Sequence, residues 1–395
     1  MHATKVLQKI LSSVIAGLDV RNARNLFFAV EALLVGRRLT LTELARHFPG
    51  ADRIHAPLKR FDRLLGNRTV QALRAACYQA ALLWLLRLPR PVLIVDWSEV
   101  KSDGRWHLLR AAVVARGRTL TVYEEVHPIA KLASPKVEAA FLEQLKTLLP
   151  TGVRPVLVTD AGFRVPWFRA VEALGWHFVG RVRHRAHVRF LNSPHENDWI
   201  AAKVLYARAT SRAVALGDVE LTETKRLVCR LALVRRRARG RRDLTRYGQR
   251  ARSAYSRKIA QREREPWLLA ASVSLGSLSG AEIAALYAKR MQIEQSFRDL
   301  KSHRYGAAFE DTLTHDPRRL EMLLLIHMLA TLAAWLEGLA LVTASLIAQP
   351  VRATRRVRYS AVWLGWESLR RHGTRLSESP AQACVRLRDV LAQAV

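Results

Sequence analysis

The chain has 395 residues, half of them hydrophobic, and its 65 Lys and Arg against 33 Asp and Glu give a formal charge of +32 and a pI near 11.3. That surplus is too large for an ordinary cytoplasmic enzyme and points to a polyanion partner, because each phosphate neutralised by a cation releases condensed counterions. Ten Trp and so much apolar content exclude a mere basic tail and predict a sizeable buried core, while three scattered cysteines, Cys77, Cys229 and Cys384, support neither a disulfide framework nor a zinc site.

The N-terminal Met1-His2-Ala3-Thr4-Lys5 leads into an amphipathic stretch without the apolar core of a signal peptide, which predicts a reducing, cytoplasmic setting. Apolar residues at helical spacing, with Arg and Lys between them, predict helices from Val6 to about Leu86. Thr40-Leu41-Thr42-Glu43 has the form of a capping box opening a short helix through His47, and Phe48-Pro49-Gly50 breaks it. A basic segment from Asp52 to Leu65 follows, with Pro57 near its start. Helix, tight turn and basic helix outline a helix-turn-helix reader of DNA, whose candidate contacts are Arg53, Lys59, Arg60, Arg63 and Arg68. Any small helical bundle with an Arg-rich face matches the same outline.

The pattern changes at Leu88-Pro89-Arg90-Pro91. Val92-Leu93-Ile94-Val95 reads as a buried strand ending at Asp96-Trp97-Ser98. His107 to Ala115 and Thr119 to Val126 follow as strands of a hairpin turning at Arg116-Gly117-Arg118, and Lys136 to Leu149 as an amphipathic helix. Pro155 to Thr159 gives a second buried strand closed by an acid, Asp160, then a helix from Phe163 to Leu174 and a strand from Trp176 to Val182. That order predicts a mixed sheet covered on both faces, with its ligand site at the carboxyl ends of the strands, where Asp96 and Asp160 fall.

From Arg183 to about Gly280 the chain reads as an insertion with short strands, such as Arg226 to Val234 and Trp267 to Val273. Its middle, Lys225 to Arg264, is so basic that Gly240 to Arg262 reads as a solvated loop ordered by contact with DNA. Ser279-Gly280-Ala281-Glu282 starts a helix carrying Tyr287, Arg290, Glu294 and Lys301. At about 100° per residue these four return to within roughly 60° of one another, so one continuous helix would align them on one face. The pattern also suits a solvated face of paired charges. Pro317 to Val395 is helical, suited to packing or dimerisation. Within it Met322 to Ala348 is apolar enough to suggest a membrane span, but His327, Glu337 and Gly338 interrupt it and predict two packed core helices and no membrane.

Asp96, Asp160 and Glu294 together form a set of oxygen donors able to hold divalent ions, one activating water or a 3′-hydroxyl and another stabilising the leaving oxygen of a phosphoryl displacement. Such ligands suit Mg²⁺ or Mn²⁺. Singly, each acid has a structural reading: a turn at Asp96, an Asx-turn before Gly162 at Asp160, and an ion pair with Arg290 at Glu294.

Val95-Asp96-Trp97-Ser98, Thr159-Asp160-Ala161-Gly162-Phe163-Arg164-Val165-Pro166-Trp167 and Tyr287-x2-Arg290-x3-Glu294-x6-Lys301 resemble the three active-site blocks of the DDE transposases of the insertion-sequence-four family. The likeness extends to Leu39–Leu44, Asp62–Arg68 and Lys289–Glu294, and so spans most of the chain. It implies an α/β fold. A ribonuclease H-like mixed-sheet core (89–182 with 281–306) would be interrupted by a β-rich basic insertion (183–280) and flanked by a helical DNA-binding region (1–88) and a helical C-terminal region (307–395). The resemblance also implies Mg²⁺-dependent cut-and-paste transposition through a DNA hairpin, with Asp96, Asp160 and Glu294 as the catalytic, metal-binding triad. Tyr287, Arg290 and Lys301 would contact phosphates at the transposon end, Trp267 would receive a flipped base, and Met291 would fill the vacated stack. The implied partners are double-stranded DNA with terminal inverted repeats, target DNA and a second copy of the chain in a synaptic complex, at the bacterial nucleoid. An inactive or domesticated DNA-binding relative and a basic RNA-binding factor are the competing readings.

Overall fold

The structure is a computed structural model and describes residues 2–376 apart from 87, 116, 184–185, 238–248, 251 and 349–358. Its contacts divide the chain into two units, Met1–Pro155 with Met291–Val395, and Val156–Arg290. This division groups the second buried strand with the insertion.

The first unit opens with α1 (Ala3–Ile10), α2 (Ser12–Ile15), α3 (Val20–Gly36), α4 (Leu41–Arg46), α5 (His55–Gly66), α6 (Arg68–Ala72) and α7 (Arg74–Leu85). The Thr40 hydroxyl accepts from the Glu43 amide at 3.3 Å and so caps α4, while the Glu43 carboxylate pairs with Arg46. Helix α5 starts at His55, three residues later than Asp52 suggests, because Pro57 fits the first turn, where an amide has no helical partner. Its apolar side, Pro57, Phe61, Leu64 and Leu65, is buried.

Strands β1 (Val92–Glu99), β2 (Trp106–Val114) and β3 (Thr119–Pro128) form an antiparallel meander, followed by α8 (Pro135–Leu148). The turn between β2 and β3 carries Gly117 at φ +85°, a conformation that favours glycine; Arg116 of the expected turn lies outside the described residues.

The second unit contains β4 (Val156–Thr159), α9 (Val165–Ala173), β5 (His177–Val182), β6 (His187–Phe190), β7 (Ile200–Ala201), β8 (Val214–Leu221), β9 (Leu227–Val234), α10 (Ala254–Arg264), β10 (Trp267–Ala271) and α11 (Gly280–Ala288). Strands β4 and β5 are parallel, joined by α9 as the crossover helix that parallel pairing requires. The insertion strands extend this sheet in the order β4-β5-β10-β9-β8-β6-β7, antiparallel from β5 onward. Part of the expected loop is helix: the Ser253 hydroxyl caps α10 through the Ser256 amide at 3.4 Å. Residues 240–248 of that loop lie outside the described residues.

The first unit resumes with α12 (Met291–Lys301), α13 (Pro317–Ala348) and α14 (Ala361–Arg371). The apolar C-terminal segment is therefore one helix of 32 residues rather than two packed against each other. Pro317–Val342 is long and apolar enough to cross a membrane, but 83% of its most apolar window is buried inside the protein. Its principal partner is α14. A Cβ on Gly338 would stand 1.7 Å from the Ala361 carbonyl oxygen, and one on Gly365 1.7 Å from that of Ala334, so only glycine permits this approach. The Ser368 hydroxyl donates to Glu337 at 2.7 Å, giving this buried acid a partner. Among the described residues the chain is a mixed α/β protein of ten strands and fourteen α-helices.

Candidate active site

In the first unit β1 is wholly apolar until Asp96, which is 9% exposed. The strand runs on to Glu99, past the end the sequence suggested, so Asp96 lies within it. Register places Asp96 opposite Arg110 of β2, and Arg110 opposite Glu124 of β3. Cross-strand partners share a sheet face, so an acid, a base and an acid form one row. Arg110 Nε donates to Glu124 Oε2 at 2.7 Å, Nη2 approaches the same oxygen at 2.6 Å, and the Tyr78 hydroxyl donates to Glu124 Oε1 at 2.8 Å. Phe297 of α12 lies 5.0 Å below the guanidinium. Burial and the Glu124 charge push the Tyr78 hydroxyl well above its ordinary pKa, so it serves as a fixed donor. The sequence reading missed this row, although Arg110 interrupts the apolar run Leu108–Val114 and a buried charge needs a partner.

Helix α12 packs on β1 and β3 and is fastened along its length. Gln292 accepts from the Gly117 amide at 2.9 Å, Ser296 from the Thr119 amide at 2.9 Å, Asp299 pairs with Arg118, and Lys301 Nζ donates to the Glu99 carbonyl at 3.1 Å. Glu294 stands in its first turn. Seven residues along the helix bring Lys301 back to within about 20° of Glu294. Burial raises the Asp299 carboxyl above its usual range, against the pull of Arg118. Met291, at 46% exposure, is not a core filler.

The single stripe expected across Tyr287, Arg290, Glu294 and Lys301 is corrected by a break in the helix. Helix α11 ends at Ala288, and the amides of Lys289 and Arg290 bond three residues back, to Leu286 at 3.1 Å and Tyr287 at 3.0 Å, before α12 begins. Tyr287 and Arg290 therefore belong to the second unit, Glu294 and Lys301 to the first.

In the second unit Asp160 directly follows β4, and its Oδ1 accepts from the Gly162 amide at 2.7 Å in an Asx-turn. A Cβ at Gly162 would crowd that oxygen at 2.9 Å, so glycine lets the turn close. Tyr287 is 4% exposed, and its ring meets Trp267 edge to face with centroids 4.9 Å apart. Burial raises its hydroxyl pKa; Arg290 and Arg181 oppose the rise and Asp160 adds to it, so these groups share one electrostatic neighbourhood. Trp267 opens β10 opposite Val234 of β9, half-buried, with the Arg236 guanidinium 5.8 Å from its ring centroid. Arg181 Nη2 donates to the Glu265 carbonyl at 3.2 Å and the Pro266 carbonyl at 3.4 Å, holding the backbone that leads into Trp267.

A sequence model of the family described as "Transposase DDE domain" matches residues 87–333. The chain belongs to that family. The matched segment holds Asp96, Asp160, Trp267, Tyr287, Arg290, Met291, Glu294 and Lys301, whereas α5 lies before it. No curated protein matches the transposase. Among solved structures it is similar to the cryo-EM structure of the piggyBac transposase synaptic complex with hairpin DNA, at 9% identity and a TM-score of 0.40, over 98% of this chain and 82% of that one.

Arg53, Lys59, Arg60, Arg63 and Arg68 of the transposase are all exposed. Arg60 lies 5.5 Å over the Phe48 ring, and Asp62, between these cations, is engaged by Arg319. The three acids of the sequence motifs offer carboxylate oxygens alone, the donor chemistry of a hard divalent cation. Among the described residues no three His, Cys, Asp or Glu side chains are grouped so as to hold an ion.

Proposed function

We propose that this DDE transposase carries out cut-and-paste transposition with Asp96, Asp160 and Glu294 as its catalytic carboxylates. The observation that carries the reading is the seating of α12: the helix with Glu294 is fastened through Gln292, Ser296, Asp299 and Lys301 onto the meander whose first strand bears Asp96. Asp160 joins them on its motif, at the end of β4 within the matched family segment. Mg²⁺ held by these carboxylates, or Mn²⁺ in its place, would supply an activated oxygen nucleophile and neutralise the leaving oxygen.

The protein's own part is to place the DNA. Lys301 and Arg290 engage phosphates of the element end, with the Tyr287 hydroxyl beside them, and Trp267 receives a base displaced by the tight bend of a hairpin. Met291, exposed at the start of α12, fills the gap left in the stack. Water cleaves one strand to free a 3′-hydroxyl. That hydroxyl attacks the opposite strand to close a hairpin, a second water reopens it, and the 3′-end joins target DNA. The pair α4 and α5 reads the terminal repeat through Arg53, Lys59, Arg60, Arg63 and Arg68, and two copies of the chain hold two ends. Asp96→Ala, Asp160→Ala and Glu294→Ala are each expected to abolish Mg²⁺-dependent cleavage of end DNA while binding persists, measured by strand-cleavage and gel-shift assays on the same samples. Undiminished cleavage by any one of them would remove that residue from the site.

A further inference from the structure

Two neighbours hold the Trp267 indole in different ways. Tyr287 is buried and packs against it with centroids 4.9 Å apart. Arg236 is exposed, two residues beyond the end of β9, with its guanidinium 5.8 Å from the ring centroid. The strand geometry explains that reach. Trp267 pairs with Val234, the last residue of β9, so the chain carrying Arg236 leaves the strand next to the indole. The adjacent Arg235 is committed elsewhere, its Nε donating to the Ala209 carbonyl and its Nη2 to that of Tyr206, each at 3.3 Å.

We propose that Arg236 is a displaceable cover on Trp267: in the DNA-free protein its guanidinium lies over the indole, and a base arriving on that ring drives it onto a phosphate of the same strand. The inference rests on the reading of Trp267 as a base acceptor. An exposed cation on an aromatic ring is held more weakly than a stacked base, so the base wins the exchange. The released guanidinium then forms a charge-assisted bond to phosphate, stronger than its contact with the ring. The cover keeps the indole from other flat apolar partners until DNA arrives. It also makes one phosphate contact conditional on base flipping.

That conditionality is testable with the full chain and two DNAs, a hairpin end with all its bases and the same hairpin with an abasic nucleotide at the displaced position. That position is found as the one where wild type prefers the base and Trp267→Ala does not. On the complete hairpin, Arg236→Gln is expected to lower the slope of log affinity against log salt by about 0.7 to 0.9, the value of one phosphate contact. On the abasic hairpin, where nothing displaces the guanidinium, wild type and Arg236→Gln should give the same slope. An equal loss on both DNAs would make Arg236 an ordinary phosphate contact, and no loss on either would make it a bystander; each overturns the proposal. If Trp267→Ala alters no base preference at any position, the base-acceptor reading itself fails, a separate outcome. Arg236→Lys keeps the charge and should retain the wild-type slope on both DNAs.

Discussion

Arginine does opposite work in the two units. In the first, Arg110 is 1% exposed, spans β2 to β3 and is held by Glu124 with Tyr78 behind it. In the second, Arg257 and Lys258 of α10 stand exposed on a helix that buries Ala260. The formal charge of +32 is thus not one quantity. Arg110 spends its charge inside the fold and adds nothing to attraction for DNA. Arg257 and Lys258 of α10 add nothing to the core and face solvent, where phosphate can reach them.

The largest effect is expected at Arg110. Arg110→Ala strands the Glu124 carboxylate without its cation and should lower stability by about 3–5 kcal/mol in urea denaturation, whereas Arg110→Met with Glu124→Gln should recover much of that loss. Equal stability of Arg110→Ala and wild type would show that the row is not structural.

A smaller effect comes from pH. Burial, then the charge of Arg110, lowers the His327 pKa from 6.5 to about 3. The folded state therefore resists a proton that the unfolded chain accepts. Stability should fall on acidification between these two values, by up to about 1.4 kcal/mol per pH unit from this group. Its contribution is full above the unfolded pKa and vanishes as a pH-dependent term below the folded one. Thermal melts of His327→Leu across that range should be flatter than those of wild type.

The least change in stability is expected from α10. Replacing Arg257 and Lys258 together by Gln should leave urea stability within about 0.5 kcal/mol for each site. DNA binding should nonetheless weaken, with a salt slope reduced by roughly 0.9 for each phosphate that is no longer neutralised. A stability loss like that of Arg110→Ala would erase the contrast between the units.

Continuous apolar runs and glycine turns were legible, which is why β1, β4 and the β2–β3 hairpin fall within a few residues of their expected limits. The break after Ala288 was not, because Lys289-Arg290 contains neither Gly nor Pro, and periodicity runs straight through a turn made by two short backbone bonds. Helix α10 was hidden by polarity. It has almost no apolar stripe, yet Ala, Gln, Lys and Arg are good helix formers and Ser253 supplies the cap. In α13 Gly338 and Glu337 read as interruptions because a sequence cannot reveal that α14 packs there, at the one residue without a side chain and with Ser368 opposite the acid. At the candidate site the roles proposed for the acids and Trp267 come from their motifs. The Arg110–Glu124 pair and the Arg236 contact depend on strand register, which no local pattern carries.

In the proposed mechanism Asp96, Asp160 and Glu294 serve one metal-dependent site. The most direct test is iron-directed cleavage of the protein bound to end DNA. Fe²⁺ with ascorbate, exchanged for Mg²⁺, releases hydroxyl radicals that cut the backbone near the bound ion, and the fragments are mapped by mass spectrometry. Cuts are expected around residues 96, 160 and 294 together, all lost in Glu294→Ala and suppressed by excess Mg²⁺. Cuts at only one of these segments, or a pattern unchanged in Glu294→Ala, would contradict a shared site.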